Sequence, residues 1–172
     1  ILPQAQPFNG AAPRFHAGAL SIAAGAGFNA DLRGFSGAIA NQADGFGPGK
    51  GLRPGSGGGY GGQGGDRGAV LGGGPYGSPW APVYAGSGGG RWDRLNYPAG
   101  GLIRIEVDGL ARVAGSLTAR GGSATSGSGS SGGSSGGGIL LACERLETAP
   151  TTVLAANGGN AGSTLYSLPG DG

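Results

Sequence analysis

The clearest hydrophobic pattern lies in Leu102–Val107, where Ile103, Ile105 and Val107 alternate with Arg104 and Glu106. A period of two is the mark of a strand with one face buried. The segment sits in a larger unit, Gly100 to Ala124, that runs from a Gly pair through this alternation and a second short apolar stretch to another Gly pair. Gly137 to Ala161 repeats the plan, and Leu117 and Leu154 open equivalent Leu-x-Ala-x-Gly-Gly elements 37 residues apart (154 − 117). A period of this length points to a stacked, solenoid-like architecture.

A weaker copy begins at Ala17, where Leu20, Ile22 and Phe28 lead into Asp31 to Gly37. Before it, residues 1–16 carry Pro3, Pro7 and Pro13 and read as an extended arm along an edge. No window is free enough of Gly and Pro to carry a helix. Gly45 to Gly90 reads as a Gly-rich insertion, with three successive Gly-Gly-X triplets over Gly58–Asp66. Period three with no Cβ at two positions in three suits a polyglycine II or polyproline-like helix, which has no internal hydrogen bonds. Its backbone groups must then be satisfied by neighbouring extended segments. Gly127 to Gly138 is a Ser/Gly tract that reads as a second such segment or as a looped turn between copies. The expected fold is all-β: one Gly-rich parallel β-solenoid-like stack over residues 17–172, with extended polyglycine II-like segments.

Composition narrows the class. Gly supplies 45 of 172 residues and Pro 11, yet 37% of the chain is hydrophobic and falls in blocks. That pattern favours an ordered fold over a linker. The net charge is +2, only 12% of residues are charged, and the Arg residues are scattered. A nucleic-acid partner is not expected. The lone Cys143 excludes an internal disulfide framework. No apolar run approaches the roughly 18 residues of a membrane-spanning helix. Met is absent and the chain opens Ile1-Leu2-Pro3 without a charged leader. Those features lead us to expect a processed secreted chain or an excised fragment.

Taken in order, Gly74-Pro75-Tyr76-Gly77-Ser78-Pro79, Gly86 to Gly90, Ala99 to Val107, Gly115 to Gly122 and Leu154 to Gly159 resemble the glycine-rich repeat regions of large secreted or cell-surface proteins. In those regions Gly-Gly-Gly-x-Ile-x-Ile and Ile-x-Ala-x-Gly-Gly elements alternate. The resemblance covers about Ala17 to Ser163 and departs at Cys143, which breaks the alternation. It implies a parallel β-solenoid with glycine-rich excursions and an extracellular or surface location. It implies no activity.

Residues able to carry chemistry are few. An active site needs convergent polar groups. His16 is the only histidine, Cys143 follows an apolar run, and the nine carboxylates are dispersed. Glu106 and Asp108 share a strand face, but there is no calcium loop and no glycosidase-like pairing. Gly49-Lys50-Gly51 lacks a P-loop context. The expectation is a non-enzymatic chain with no cofactor and no metal. The remaining candidates are aromatic: Tyr76, Trp80, Tyr84, Trp92 and Tyr97. Such rings cover a core poor in side chains, anchor an interface, or stack on sugars. We therefore expect a structural subunit of a filament, sheath or surface matrix, self-associating through Ile1–Phe15 or the 76–97 stretch. The alternative is a carbohydrate-binding adhesin domain whose partner is a polysaccharide. A weaker alternative is an ice-binding protein, disfavoured by the absence of Thr ladders beyond Thr151-Thr152.

Overall fold

The computed structural model describes residues 1–39, 42–92, 97–124 and 131–162. Among those residues are seven strands: β1 Arg14–Ala17, β2 Leu20–Ile22, β3 Gly27–Asn29, β4 Leu102–Val113, β5 Ser116–Thr118, β6 Gly138–Thr148 and β7 Val153–Ala155. Among the described residues there is no helix. Every strand pairing is parallel. In the first sheet β4 is central, with β1 and β2 along one side and β6 along the other. The second sheet runs β3-β5-β7. The strands thus fall into three layers: β1 to β3, then β4 and β5, then β6 and β7.

The alternation read from the sequence sets the register. Ile103, Ile105 and Val107 are buried, while Arg104 and Glu106 lie on the outer face joined by an ion pair. With Ile22, Phe28, Val113 and Leu117 they form one apolar core between the two sheets. Phe15 and Phe28 close it in the first layer, edge to face at 5.1 Å. Leu117 pairs with Phe28 on one side and Leu154 on the other, as the repeat requires. Leu154, however, is 58% exposed. It lies in the third layer, and none of the described strands stacks over it. Cys143 also differs from expectation. It pairs with Val107 and packs on the core with Ile139 and Leu141, so the alternation continues through it.

Between and beside the strands, the glycine-rich segments are tied by main-chain hydrogen bonds with a three-residue rhythm. The carbonyls of Gly86 and Gly89 accept from Phe35 and Ala38 N–H. Those of Ser87 and Gly90 accept from Ser135 and Gly132 N–H. Gly88 turns a third way, donating to Phe46 O and accepting from Gly51 N–H. Such approach leaves no room for side chains: a Cβ on Gly88 would lie 1.9 Å from Ser36 O, and one on Gly136 1.8 Å from Ala156 O. The serines among these glycines are interior. Ser87 N–H donates to Ser135 Oγ and Gly89 N–H to Ser134 Oγ, both at 2.8 Å. Residues 131–138 of the Ser/Gly tract are therefore buried rather than looped out; its first part, 127–130, lies outside the described residues.

Two expectations need correction. The triplets of Gly58–Asp66 do not form one continuous extended segment. The chain bends at 60–62 and returns, so that Gly57 N–H donates to Gly65 O. Gly58, Gly59 and Gly64 are packed against backbone, while Gly61, Gly62 and Gly65 have nothing within 4 Å of an added Cβ. The boundary drawn at residue 16 also cuts through β1, because Arg14 already pairs with Arg104. The arm before it is bonded to its own chain: Asn29 N–H donates to Ile1 O, Ala5 N–H to Arg33 O, and Ser36 N–H to Pro7 O.

Candidate functional site

The five aromatic candidates do not form one face. Tyr76 sits between Tyr60 at 4.9 Å and Tyr84 at 6.1 Å, both edge to face. Tyr60 was not among the sequence candidates; its place in a glycine triplet hid it. The Tyr76 hydroxyl donates to Ala85 O at 2.5 Å and accepts from Ser87 Oγ at 2.9 Å. Burial pushes the Tyr76 hydroxyl well above the ordinary tyrosine pKa, the Ser87 bond opposing and the neighbouring Tyr60 adding to the rise. Burial also raises Tyr60, whose hydroxyl has no partner that meets hydrogen-bond geometry, although the Tyr84 backbone lies near enough to offset part of the rise. Tyr60 is buried and Tyr76 partly so, whereas Tyr84 is 51% exposed. Tyr97 is buried as well, at 7% exposure.

The two tryptophans are exposed and separate. Trp80 is 91% exposed. Trp92 lies under the guanidinium groups of Arg53 and Arg67, 5.9 and 5.5 Å from its ring centroid, in cation–π contact. Of the five candidates, Trp80, Tyr84 and Trp92 are exposed.

The outer face of the first sheet carries a charge ladder that the sequence did not single out as a unit. Glu106 accepts from Arg14 and Arg104. Glu147 accepts from Arg112 at 2.7 Å and pairs with Arg145. The Arg14 hydrogen bond holds Glu106 below the ordinary glutamate pKa, and the Arg112 bond does the same for Glu147. His16 Nε2 stands 2.8 Å from Asp108 Oδ1, both side chains largely exposed. Its position two residues from Arg14 on β1 makes it part of this ladder.

A cleft of about 660 Å³ opens between the 57–66 fold-back and residues 133–137 and 158–161. Its walls are mostly glycine main chain, with Tyr60, Gln63, Asp66, Ser134, Ser135 and Asn160 the polar side chains among the lining residues. They offer hydrogen bonds but no nucleophile paired with a base. Among the described residues no group of three or more His, Cys, Asp and Glu is gathered to hold a metal, and no helix is long and apolar enough to cross a membrane.

The remaining surface feature is the outer edge of the third layer. β6 is an 11-residue strand that, among the described residues, pairs on one side only, with β4. Leu146 is 49% exposed, and Val153 and Leu154 of β7 continue the apolar edge. A parallel edge of this length, left open by the described residues, is a template for another strand. Compared with known proteins, the chain matches no family model, no curated protein and no solved structure.

Proposed function

We propose that this chain is a non-enzymatic structural protein of the extracellular space or cell surface, working as an assembly unit through strand-edge association. In this reading the three layers are a short parallel β-solenoid. The glycine segments beside them form a polyglycine II-type array, each segment bonding in turn to a different neighbour. The observation that carries the proposal is the open β6–β7 edge with Leu146, Val153 and Leu154 facing solvent. A monomer gains nothing from leaving such an edge bare, whereas burial against another chain gains roughly 25 cal/mol per Å² of apolar surface. Sedimentation velocity across a hundredfold concentration range tests it. Association that rises with concentration and is abolished in Leu146→Lys/Leu154→Lys is expected; a parent that stays monomeric throughout rejects it.

A second reading is favoured by Trp80 and by the half-exposed Tyr84: a carbohydrate-binding surface that stacks rings on sugars. Retention on insoluble polysaccharide, lost in Trp80→Ser/Tyr84→Ser and unaffected by the leucine changes, would favour it over assembly.

A further inference from the structure

The two ends of the stack match in spacing. β1 and β2 pair with β4 on one side at Arg14↔Arg104, Ala17↔Val107 and Leu20↔Ala111. β6 pairs on the other at Arg104↔Leu140, Val107↔Cys143 and Ala111↔Leu146, with a register shift in β4 between Val107 and Leu110. β3 and β7 flank β5 at Phe28↔Leu117↔Leu154. The first and third layers are therefore related by a constant offset of 126 residues (140 − 14, 146 − 20, 154 − 28). The irregularity belongs to β4 alone, and the outer layers fit one another without a bulge.

Resting on the assembly reading above, we propose that the occupant of the β6 edge is the first layer of a second copy of this chain, docked head to tail in this register. Phe15 of the incoming copy then lies over Leu141, Ala17 over Cys143 and Leu20 over Leu146, continuing the core ladder with apolar partners. The charges agree. Within the chain His16 pairs in register with Glu106 and reaches Asp108, two residues further along. On the β6 edge the same step carries His16 from Ala142 to Glu144. Glu144 is exposed and has no ion-pair partner among the described residues. The contact is heterologous, so each addition leaves a fresh β6 edge and the product is an open chain of copies unless the rotation closes it.

One element stands in the way. Ile1 lies along the outer edge of β3, its amino group donating to Gly27 O at 2.9 Å and its carbonyl accepting from Asn29 N–H. That is the position β7 of a docked copy requires. An open groove of about 550 Å³ runs between Ile1, Leu2 and the residues Leu20, Ile22 and Phe28. Docking therefore starts at the open edge of β1 and β2 and displaces Ile1 and Leu2 from β3.

Disulfide trapping reads the register directly. In Ala17→Cys the introduced thiol would face Cys143 of the next copy across one strand spacing of about 4.8 Å, within the span a disulfide bridges. In the same chain β4 lies between the two positions, so the separation is two spacings, roughly 9–10 Å, too far for a bridge. With an added mild oxidant, Ala17→Cys should give a ladder of covalent multimers at least tenfold above Leu71→Cys, whose position is exposed and outside every strand. Should Ala17→Cys misfold, Ser21→Cys/Glu147→Cys in a Cys143→Ser background tests the same register. If the parent associates in sedimentation but the trapped yield equals that of Leu71→Cys, the register is wrong while the assembly reading stands. If the parent neither associates nor cross-links, both fail.

Discussion

Gly64 and Gly61 stand three residues apart in one run of triplets, yet an added Cβ at Gly64 would lie 2.2 Å from Gly57 O and one at Gly61 would meet nothing. Gly64→Val should therefore destabilise the fold by about 1–3 kcal/mol or more, seen as a Tm lowered by several degrees. Gly61→Val should leave the Tm nearly unchanged. The sequence alone gives both glycines the same role, because a residue without a side chain carries no mark of which way it faces. Tyr76 makes a second prediction at this scale. Its hydroxyl stays neutral in the folded chain above the ordinary value of 10.0 because burial disfavours the phenolate. The unfolded chain ionises first, so the stability Tyr76 contributes is complete below pH 10 and falls as pH rises beyond it. Tm measured from pH 8 to 11.5 should decline at the alkaline end, and less steeply in Tyr76→Phe.

At the scale of elements, β4 is paired on both sides and supplies five of the ten buried residues of the main core, so it is the strand whose loss the stack could least survive. Ile105 is 2% exposed and lies in register between Phe15 and Leu141. Ile105→Ala should cost about 2–5 kcal/mol in chemical denaturation, whereas Leu154→Ala at the bare edge should cost far less. A drop for Leu154→Ala as large as that for Ile105→Ala would mean that the third layer is covered in the isolated protein. The alternation in β4, and the pairing of Leu117 with Leu154, were legible because apolar periodicity records which face is buried. β1 was not, since Arg-Phe-His-Ala is too short to show a period and the prolines before it suggest an arm. Nor was the edge ladder of Arg14, Glu106 and His16, which only the register of β1 on β4 brings together. The fate of the serines was hidden for a related reason. Ser134 and Ser135 read as loop composition until their hydroxyls are seen accepting main-chain N–H groups.

At the scale of the whole molecule, the larger apolar core lies between the two sheets, a smaller one gathers Ala5, Phe35 and Ala85, and the glycine segments pack backbone against backbone. The buried residues of the glycine array include Ser56, Ser87, Ser131 and Ser134 but few large apolar side chains. This division has a calorimetric consequence. The heat capacity of unfolding rises with apolar surface newly exposed to water and falls with polar surface exposed. An array that releases mainly peptide groups on melting should lower it, well below the usual roughly 12–15 cal/mol/K per residue. Differential scanning calorimetry at several pH values would give this slope directly, and an ordinary value would show that apolar burial dominates after all. With a small slope the curve of stability against temperature flattens. Cooling then removes little of the driving force, and the fold should keep nearly the same stability in the cold as at ambient temperature.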